Sequence, residues 1–321
     1  MQVVIVSPVL ADANNGNWRT AQRWFRFLAS SGRVRIVTSW PDAQSASDDV
    51  MIALHARRSA GAIRAWRASR GERGLAVVLT GTDLHHDIQA NPEAIASLDY
   101  AQVLVVLHAR GIAALPVAVR GKARVILQSA SHRPTLDKTT RHLNVVVVGH
   151  LRAEKSPETI FATAKMLRGE PEIRLKHIGQ ALDPLLARQA EACARGVPNY
   201  RWLGGMPHES VRRAIQRAHV LVHPSQMEGG ANAVIEAITS GTPVLASAVD
   251  GNIGLLGETY PGYFPWGDAP ALVALLRRLH REQTVDGGLL TQLRAVVEER
   301  ASLFDPKREK RDVCALVADL G

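Results

Sequence analysis

Val220-Leu221-Val222-His223-Pro224-Ser225-Gln226-Met227-Glu228-Gly229-Gly230-Ala231-Asn232-Ala233-Val234-Ile235-Glu236-Ala237 reads as a buried strand, a glycine-bearing loop and the start of a helix. The apolar run Val220 to Val222 is stopped by Pro224 and Ser225. Gly229 and Gly230 permit backbone geometries that a Cβ forbids. A strand that feeds a helix in this way points free backbone N–H groups above the sheet, and with the helix dipole they make an anion site. Glu228 precedes the glycines, and Glu236 follows about two helical turns later. Carboxylates repel phosphate, so beside such a cradle they suit hydroxyls, and one carboxylate can take both hydroxyls of a vicinal diol. The combination points to a nucleotide sugar: a phosphate middle with a sugar at each end. The same residues also read as a loop acid, a helix-face acid and two turn glycines with no ligand.

Outward from this stretch, short continuous apolar runs recur. Val3 to Val6, Val34 to Val37, Val50 to Leu54, Ala76 to Leu79, Val103 to Leu107 and Val125 to Leu127 read as strands. Helical patterns lie between several of them, including Ala60 to Ser69. Continuous rather than alternating runs fit parallel strands buried on both faces, hence a doubly wound α/β domain. The polar segment Ser129 to Thr135 reads as a linker. The pattern restarts at Val145 to Gly149 and continues through Ile173 to Ile178, Tyr200 to Leu203, Val220 to Val222 and Val244 to Ala246. Helices Thr159 to Leu167, Pro184 to Arg195 and Val211 to Arg217 separate these strands. Residues from about Ala269 onward are helical, with Pro306 interrupting before Arg308 to Leu320.

The expected organisation is therefore an N-terminal Rossmann-like domain over 1–135, a second over 136–290, and C-terminal helices over 291–321 packing back toward the first. The two doubly wound domains are expected to face a central cleft, with ligands beyond the carboxyl ends of the strands. In the first domain Asn15-Gly16-Asn17 precedes a helix carrying Trp18, Arg19, Trp24 and Phe25, with Asn17 as its expected N-cap. This is a second anion site on paper, and Arg19 reads equally as a solvated helix arginine.

The chain has 321 residues and a formal charge of +9, and only seven of its 39 basic residues are lysine. The arginines are scattered, with no basic run interleaved with aromatics, so nucleic acid is not the expected partner. A basic field favours small anionic ligands. Cys193 and Cys314 suit unpaired thiols in a reducing compartment. The N-terminus lacks a signal-peptide pattern and no run reaches membrane-spanning length, so a cytoplasmic protein without membrane insertion is expected. No Asp-x-Asp triplet that would hold a divalent ion is present. Neither a metal nor a cofactor is expected.

Three pieces in order carry a resemblance. They are Gly149-His150-Leu151-Arg152-Ala153-Glu154-Lys155, then Glu228 to Glu236, then Gly241-Thr242-Pro243. The chain resembles the GT-B glycosyltransferases of family 4 over nearly its whole length. The resemblance implies a C-terminal donor domain and an N-terminal acceptor domain. It implies that Lys155, with Gly149 and His150, meets the donor diphosphate, and that Gly229, Gly230, Ala231 and Asn232 offer backbone amides. Glu228 would hold donor-sugar hydroxyls near the anomeric carbon, Glu236 the ribose diol, and Met206 would border the nucleobase. His150 replaces the family's loop arginine, and Thr82 stands where many relatives have a histidine at the donor sugar. Asp83, His85 or His86 would substitute, or are structural.

Asn15 to Thr20, Leu79 to Leu84, Met227 to Asn232 and Gly251 to Gly257 with Tyr260-Pro261-Gly262-Tyr263 resemble a narrower bacterial subfamily. That subfamily includes the selenosugar synthases of selenoneine biosynthesis. This implies a UDP-sugar donor such as UDP-N-acetylglucosamine, selenophosphate as a small anionic acceptor, and an upstream enzyme that makes selenophosphate. Glu228, Lys155, Thr82 and Asp83 are the implied catalytic group, and Asn15, Gly16, Asn17 and Arg19 the acceptor group. The alternatives are a family 4 enzyme acting on a sugar, lipid or metabolite hydroxyl, and a non-catalytic nucleotide-sugar binder. The Trp18, Trp24 and Phe25 helix has the flavour of a lipid-binding face, but core packing is the expected role of these residues.

Overall fold

Two all-parallel sheets of six strands each organise the computed structural model, which describes residues 1–8, 16–30 and 32–321. The chain forms two compact units. Unit 1 is Met1–Ser129 with Glu228–Gly230 and Asp305–Gly321, and unit 2 is Ala130–Met227 with Ala231–Phe304.

In unit 1 the strands are β1 (Gln2–Val6), β2 (Arg33–Val37), β3 (Val50–Leu54), β4 (Leu75–Leu79), β5 (Val103–Val106) and β6 (Ala123–Val125). Their order is β2-β1-β3-β4-β5-β6. Alternate side chains supply the two faces. Val4, Val6, Met51, Ala53, Val77 and Leu79 pack with Trp66 and Leu98 in one core. Val3, Ile5, Ile52, Leu54 and Val78 pack with Trp24, Leu316 and Val317 in the other. Both faces are covered, so β3 and β4 are buried throughout and read as unbroken apolar runs. The helices are α1 (Gly16–Leu28), α2 (Ala60–Arg70), α3 (Ile88–Ala90), α4 (Pro92–Tyr100) and α5 (Gly111–Ala114). Asn17 falls inside α1, so the expected N-cap is corrected, and Asn15 lies outside the described residues. The expected strand Val125 to Leu127 is corrected to Ala123–Val125, where Arg124 on a half-buried edge breaks the apolar run.

Unit 2 contains β7 (Leu143–Val148), β8 (Ile173–Ile178), β9 (Tyr200–Trp202), β10 (Val220–His223), β11 (Val244–Ser247) and β12 (Tyr263–Phe264), in the order β12-β11-β10-β7-β8-β9. Its helices are α6 (Pro157–Met166), α7 (Pro184–Gly196), α8 (His208–Arg217), α9 (Asn232–Ile238), α10 (Asp250–Leu256), α11 (Ala269–Arg281) and α12 (Leu289–Arg300). The two-residue strand β12 has no signature in the sequence. Asp-Pro pairs start α7 and the last helix, α13 (Pro306–Leu320): the aspartate caps the first amides and proline fixes the first turn.

α13 belongs to unit 1, where Glu309 anchors it. Fully buried, this carboxylate accepts from Arg23 Nε (2.7 Å), Trp24 Nε1 (2.7 Å) and Ser129 N (2.8 Å), and from Ser129 Oγ. The core-packing reading of Trp24 therefore holds: its ring fills the core and its N–H is spent on Glu309. Both cysteines are free thiols. Among the described residues no helix is long and apolar enough to cross a membrane.

Unit 2 buries His177 on β8, with Nδ1 3.1 Å from the Tyr200 hydroxyl and the Gly149 carbonyl as a further hydrogen-bond partner. Burial pushes this imidazole down to about 4, against the smaller opposing pull of the carbonyl.

Two outcomes are expected. Glu309→Ala leaves several buried donors unmatched and is expected to cost unit 1 on the order of 3 kcal/mol, read as an earlier urea transition. For His177, the unfolded chain binds a proton as pH falls through about 6.5, while the folded chain stays neutral down to about 4. Stability is therefore lost on acidification across that window, by on the order of 3 kcal/mol. The stability difference between the wild type and His177→Phe, measured at pH 7 and pH 4.5, is expected to move in the variant's favour at the lower pH.

Candidate functional site

In the second sheet β7 lies between β10 and β8, so the chain winds away in opposite directions from β7 and β10. The crevice beyond the carboxyl ends of these strands is the switch point at which open α/β sheets bind ligands. The loops that leave β7 and β10 carry Gly149 to Lys155 and the stretch from Pro224 to Asn232.

The β7 loop is held by main-chain contact. A Cβ on Gly179, just after β8, would lie 1.8 Å from the Gly149 carbonyl oxygen, so only glycine lets the two loops touch. The aliphatic stem of Lys155 lies along Gly149, 3.6 Å from where a Cβ would sit. Ser156 follows in a left-handed conformation (φ 46°), and its hydroxyl accepts from Trp266 Nε1 at 2.8 Å. His150 Nδ1 accepts from Gln180 N at 3.1 Å, so one ring nitrogen is committed to the backbone. The Gln226 amide donates to the Glu154 carbonyl at 2.9 Å, joining the β7 and β10 loops. Beyond β10, Ser225 Oγ lies 3.2 Å from His223 Nε2 and Asn252 Nδ2 bonds the Ser247 carbonyl, a buried polar chain that sets the turn.

α9 starts at Asn232 with Ala231 before it and no side-chain cap, and the Val234 amide turns back to the Ala231 carbonyl at 2.9 Å. Glu236 on α9 is 8% exposed and meets His208 Nε2 at 2.6 Å through Oε1. His208 opens α8, and nothing in the sequence periodicity singled it out. Arg212, one turn on, is buried; burial disfavours its charge, and Glu236 is the largest opposing influence. Met206 lines a cavity of about 430 Å³ with Val146, Ile178, Leu203, Lys176 and Arg217.

Unit 1 assembles a second group. Glu228–Gly230 clusters here, while Ala231, Asn232 and Glu236 cluster in unit 2. A Cβ on Gly229 would lie 2.5 Å from the Thr80 carbonyl carbon, and Gly81 itself has φ 138°. The His85 ring donates through Nε2 to the Glu228 carbonyl at 2.9 Å. Gln128 joins Thr20 on α1 to the Gly230 carbonyl (3.2 Å) when its amide nitrogen faces that oxygen. In that orientation the single Thr20 hydroxyl proton goes to the Gln128 oxygen, so α1, with half-buried Asn17 and Arg19, is connected to the glycine pair through Thr20 itself.

Asp83 is fully buried within a π-helical turn, Asp83–Asp87, and accepts from Thr80 N (2.8 Å), Gly81 N (2.9 Å) and Ala56 N (2.9 Å). A carboxylate so committed shapes the loop that presents half-buried Thr82. His55, beside it at 3.9 Å, sits at φ 75° and was not foreseen. Burial lowers its pKa, against the charge of Asp83. Among the described residues no cluster of three or more His, Cys, Asp or Glu side chains is placed to hold a metal ion.

The model of the family "Glycosyl transferases group 1" matches residues 129–300. Over 90% of its length the chain is 22% identical to 91% of "glycosyltransferase 1 domain-containing protein 1" of Xenopus tropicalis. It superposes on sucrose-phosphate synthase from Thermosynechococcus elongatus with a TM-score of 0.78, at 18% identity and covering 99% and 98% of the two chains. Anabaena HepE, solved in complex with UDP and glucose, gives 0.77 at 14% identity with both chains fully covered. Both structures share the fold, two parallel Rossmann-like sheets in GT-B arrangement, and the family match spans more than half of the residues. The chain belongs to the glycosyl transferases group 1 family, the family 4 GT-B enzymes, and is a glycosyltransferase.

Proposed function

We propose that this glycosyltransferase moves a sugar from a UDP-sugar, UDP-N-acetylglucosamine among them, to a small anionic acceptor, and that the acceptor is selenophosphate. The observation that carries the donor half is the constellation at the switch point of the second sheet: Lys155 laid along Gly149, the uncapped start of α9, and the buried carboxylate Glu236. HepE holds UDP in its solved complex, which supports the same nucleotide here. Lys155 and the amides of Gly229, Gly230, Ala231 and Asn232 take the diphosphate. Glu228 takes donor-sugar hydroxyls, Glu236 the ribose diol, and Met206 borders the base. His150, whose Nδ1 accepts from Gln180 N, joins Lys155 at the diphosphate.

The acceptor half is supported by unit 1. The start of α1, with Gly16, Asn17 and Arg19, offers amides and a cation to a small anion, and Thr20 on the same helix is linked through Gln128 to Gly230. Thr82 replaces the usual histidine with a side chain that is no general base. An ionised, polarisable selenium nucleophile needs none. Selenium bonds to the anomeric carbon as the carbon–oxygen bond to the diphosphate breaks, and that electron pair leaves with UDP. The cation and amides stabilise the charge that develops on the leaving group.

Incubation with a panel of UDP-sugars, with and without selenophosphate, is expected to release UDP and yield a selenium-bearing sugar by mass spectrometry. UDP release that depends on a hydroxyl acceptor instead would overturn the selenium reading. Lys155→Ala is expected to slow turnover by about a hundredfold, in the range of lost oxyanion-type donors. Full activity in that variant would remove Lys155 from the mechanism.

A further inference from the structure

Resting on the reading of Glu236 as the ribose acceptor, the geometry around that side chain points one step further. Its carboxylate is nearly enclosed, and an enclosed carboxylate needs a partner. Among the described residues, the group hydrogen-bonded to it is His208, Nε2 to Oε1 at 2.6 Å. The hydroxyls of Thr239 and Ser240 reach only the Glu236 main-chain carbonyl. Arg212 influences Glu236 by charge, but its Nη2 is spent on the Ser131 carbonyl at 2.6 Å. The remaining charged neighbours, Glu209 and Arg133, pair with each other and with Arg213.

A carboxylate is acceptor-only, so Nε2 must donate, which leaves Nδ1 of a neutral His208 as an acceptor. The bond fixes the rotation of the Glu236 carboxylate and occupies one lone pair of Oε1, while Oε2 stays open to a diol. His208 itself is 44% exposed at the first position of α8, so it can be replaced without opening a core.

We propose that His208 is the positioning residue for Glu236, and that discrimination between a ribose and a 2′-deoxyribose nucleotide depends on the His208–Glu236 hydrogen bond. Without it the carboxylate is free to rotate, and the 2′-hydroxyl meets an acceptor that is no longer held in place. A hydrogen bond to a charged group that only the ribose ligand exploits corresponds to about a tenfold difference in affinity.

The test is calorimetric titration of the full chain with UDP and with 2′-deoxy-UDP, melting temperature being followed for each variant. His208→Ala is expected to weaken UDP about tenfold while leaving 2′-deoxy-UDP nearly unchanged. His208→Gln, whose amide nitrogen can stand where Nε2 stands, is expected to retain most of the preference, and His208→Leu to behave as the alanine variant. Equal weakening of both ligands, or no weakening of either, in the alanine or leucine variant would overturn the proposal. Glu236→Ala separates the two layers. If it abolishes the preference while His208→Ala does not, only the role of His208 fails. If Glu236→Ala leaves the preference intact, the ribose reading of Glu236 fails, and the His208 proposal with it.

Discussion

Main chain packed directly on main chain is the constraint on which the rest of this molecule depends. Between Gly149 and Gly179 there is no room for a single methyl group, and the same holds between Gly229 and the Thr80–Gly81 peptide. Each contact joins loops that leave adjacent strands or distant parts of the chain, at the carboxyl end of a sheet. A side chain at Gly179 or Gly229 would push the loops apart by more than rotamer changes can absorb, since the clashing atoms are backbone. Two of the site residues sit on these contacts: the Lys155 stem rests on Gly149, and Glu228 directly precedes Gly229.

Around these contacts, polar groups are committed to the backbone before any ligand is considered. Asp83 satisfies three amides, His85 takes the Glu228 carbonyl, His150 accepts from Gln180, and neutral His177 braces Gly149 from below. Buried polar groups with partners hold a loop in one geometry, whereas unpartnered ones would cost stability. What the second sheet presents at its switch point is specific: the start of α9, which has no side-chain cap, the Lys155 side chain laid along Gly149, and the buried Glu236 carboxylate.

Much of this was legible in the sequence because burial on both faces of a parallel strand writes an unbroken apolar run. Val50–Leu54 and Ile173–Ile178 were found to the residue for that reason. β6 was misplaced because Arg124 interrupts an edge strand, and β12 is too short to leave a pattern. Glycines at the ends of strands were visible, and Gly229 and Gly230 were read from their place in a strand–loop–helix unit. Gly179, directly after Ile178, carries the same signal at the end of β8. His208 and His55 left no signal at all: each matters through a partner remote in sequence or through a backbone angle, and neither periodicity nor spacing encodes that. The three amides on Asp83 are equally silent in the sequence, because a loop carboxylate reads the same whether its oxygens face solvent or main chain.

The central claim is that the switch point of the second sheet holds a uridine diphosphate through Lys155 and Glu236. A crystal structure of the full chain soaked with UDP tests it most directly. The expected density places the ribose hydroxyls within hydrogen-bond distance of the Glu236 carboxylate and the diphosphate at Lys155 and the start of α9. Nucleotide density elsewhere, or ribose turned away from Glu236, would contradict it.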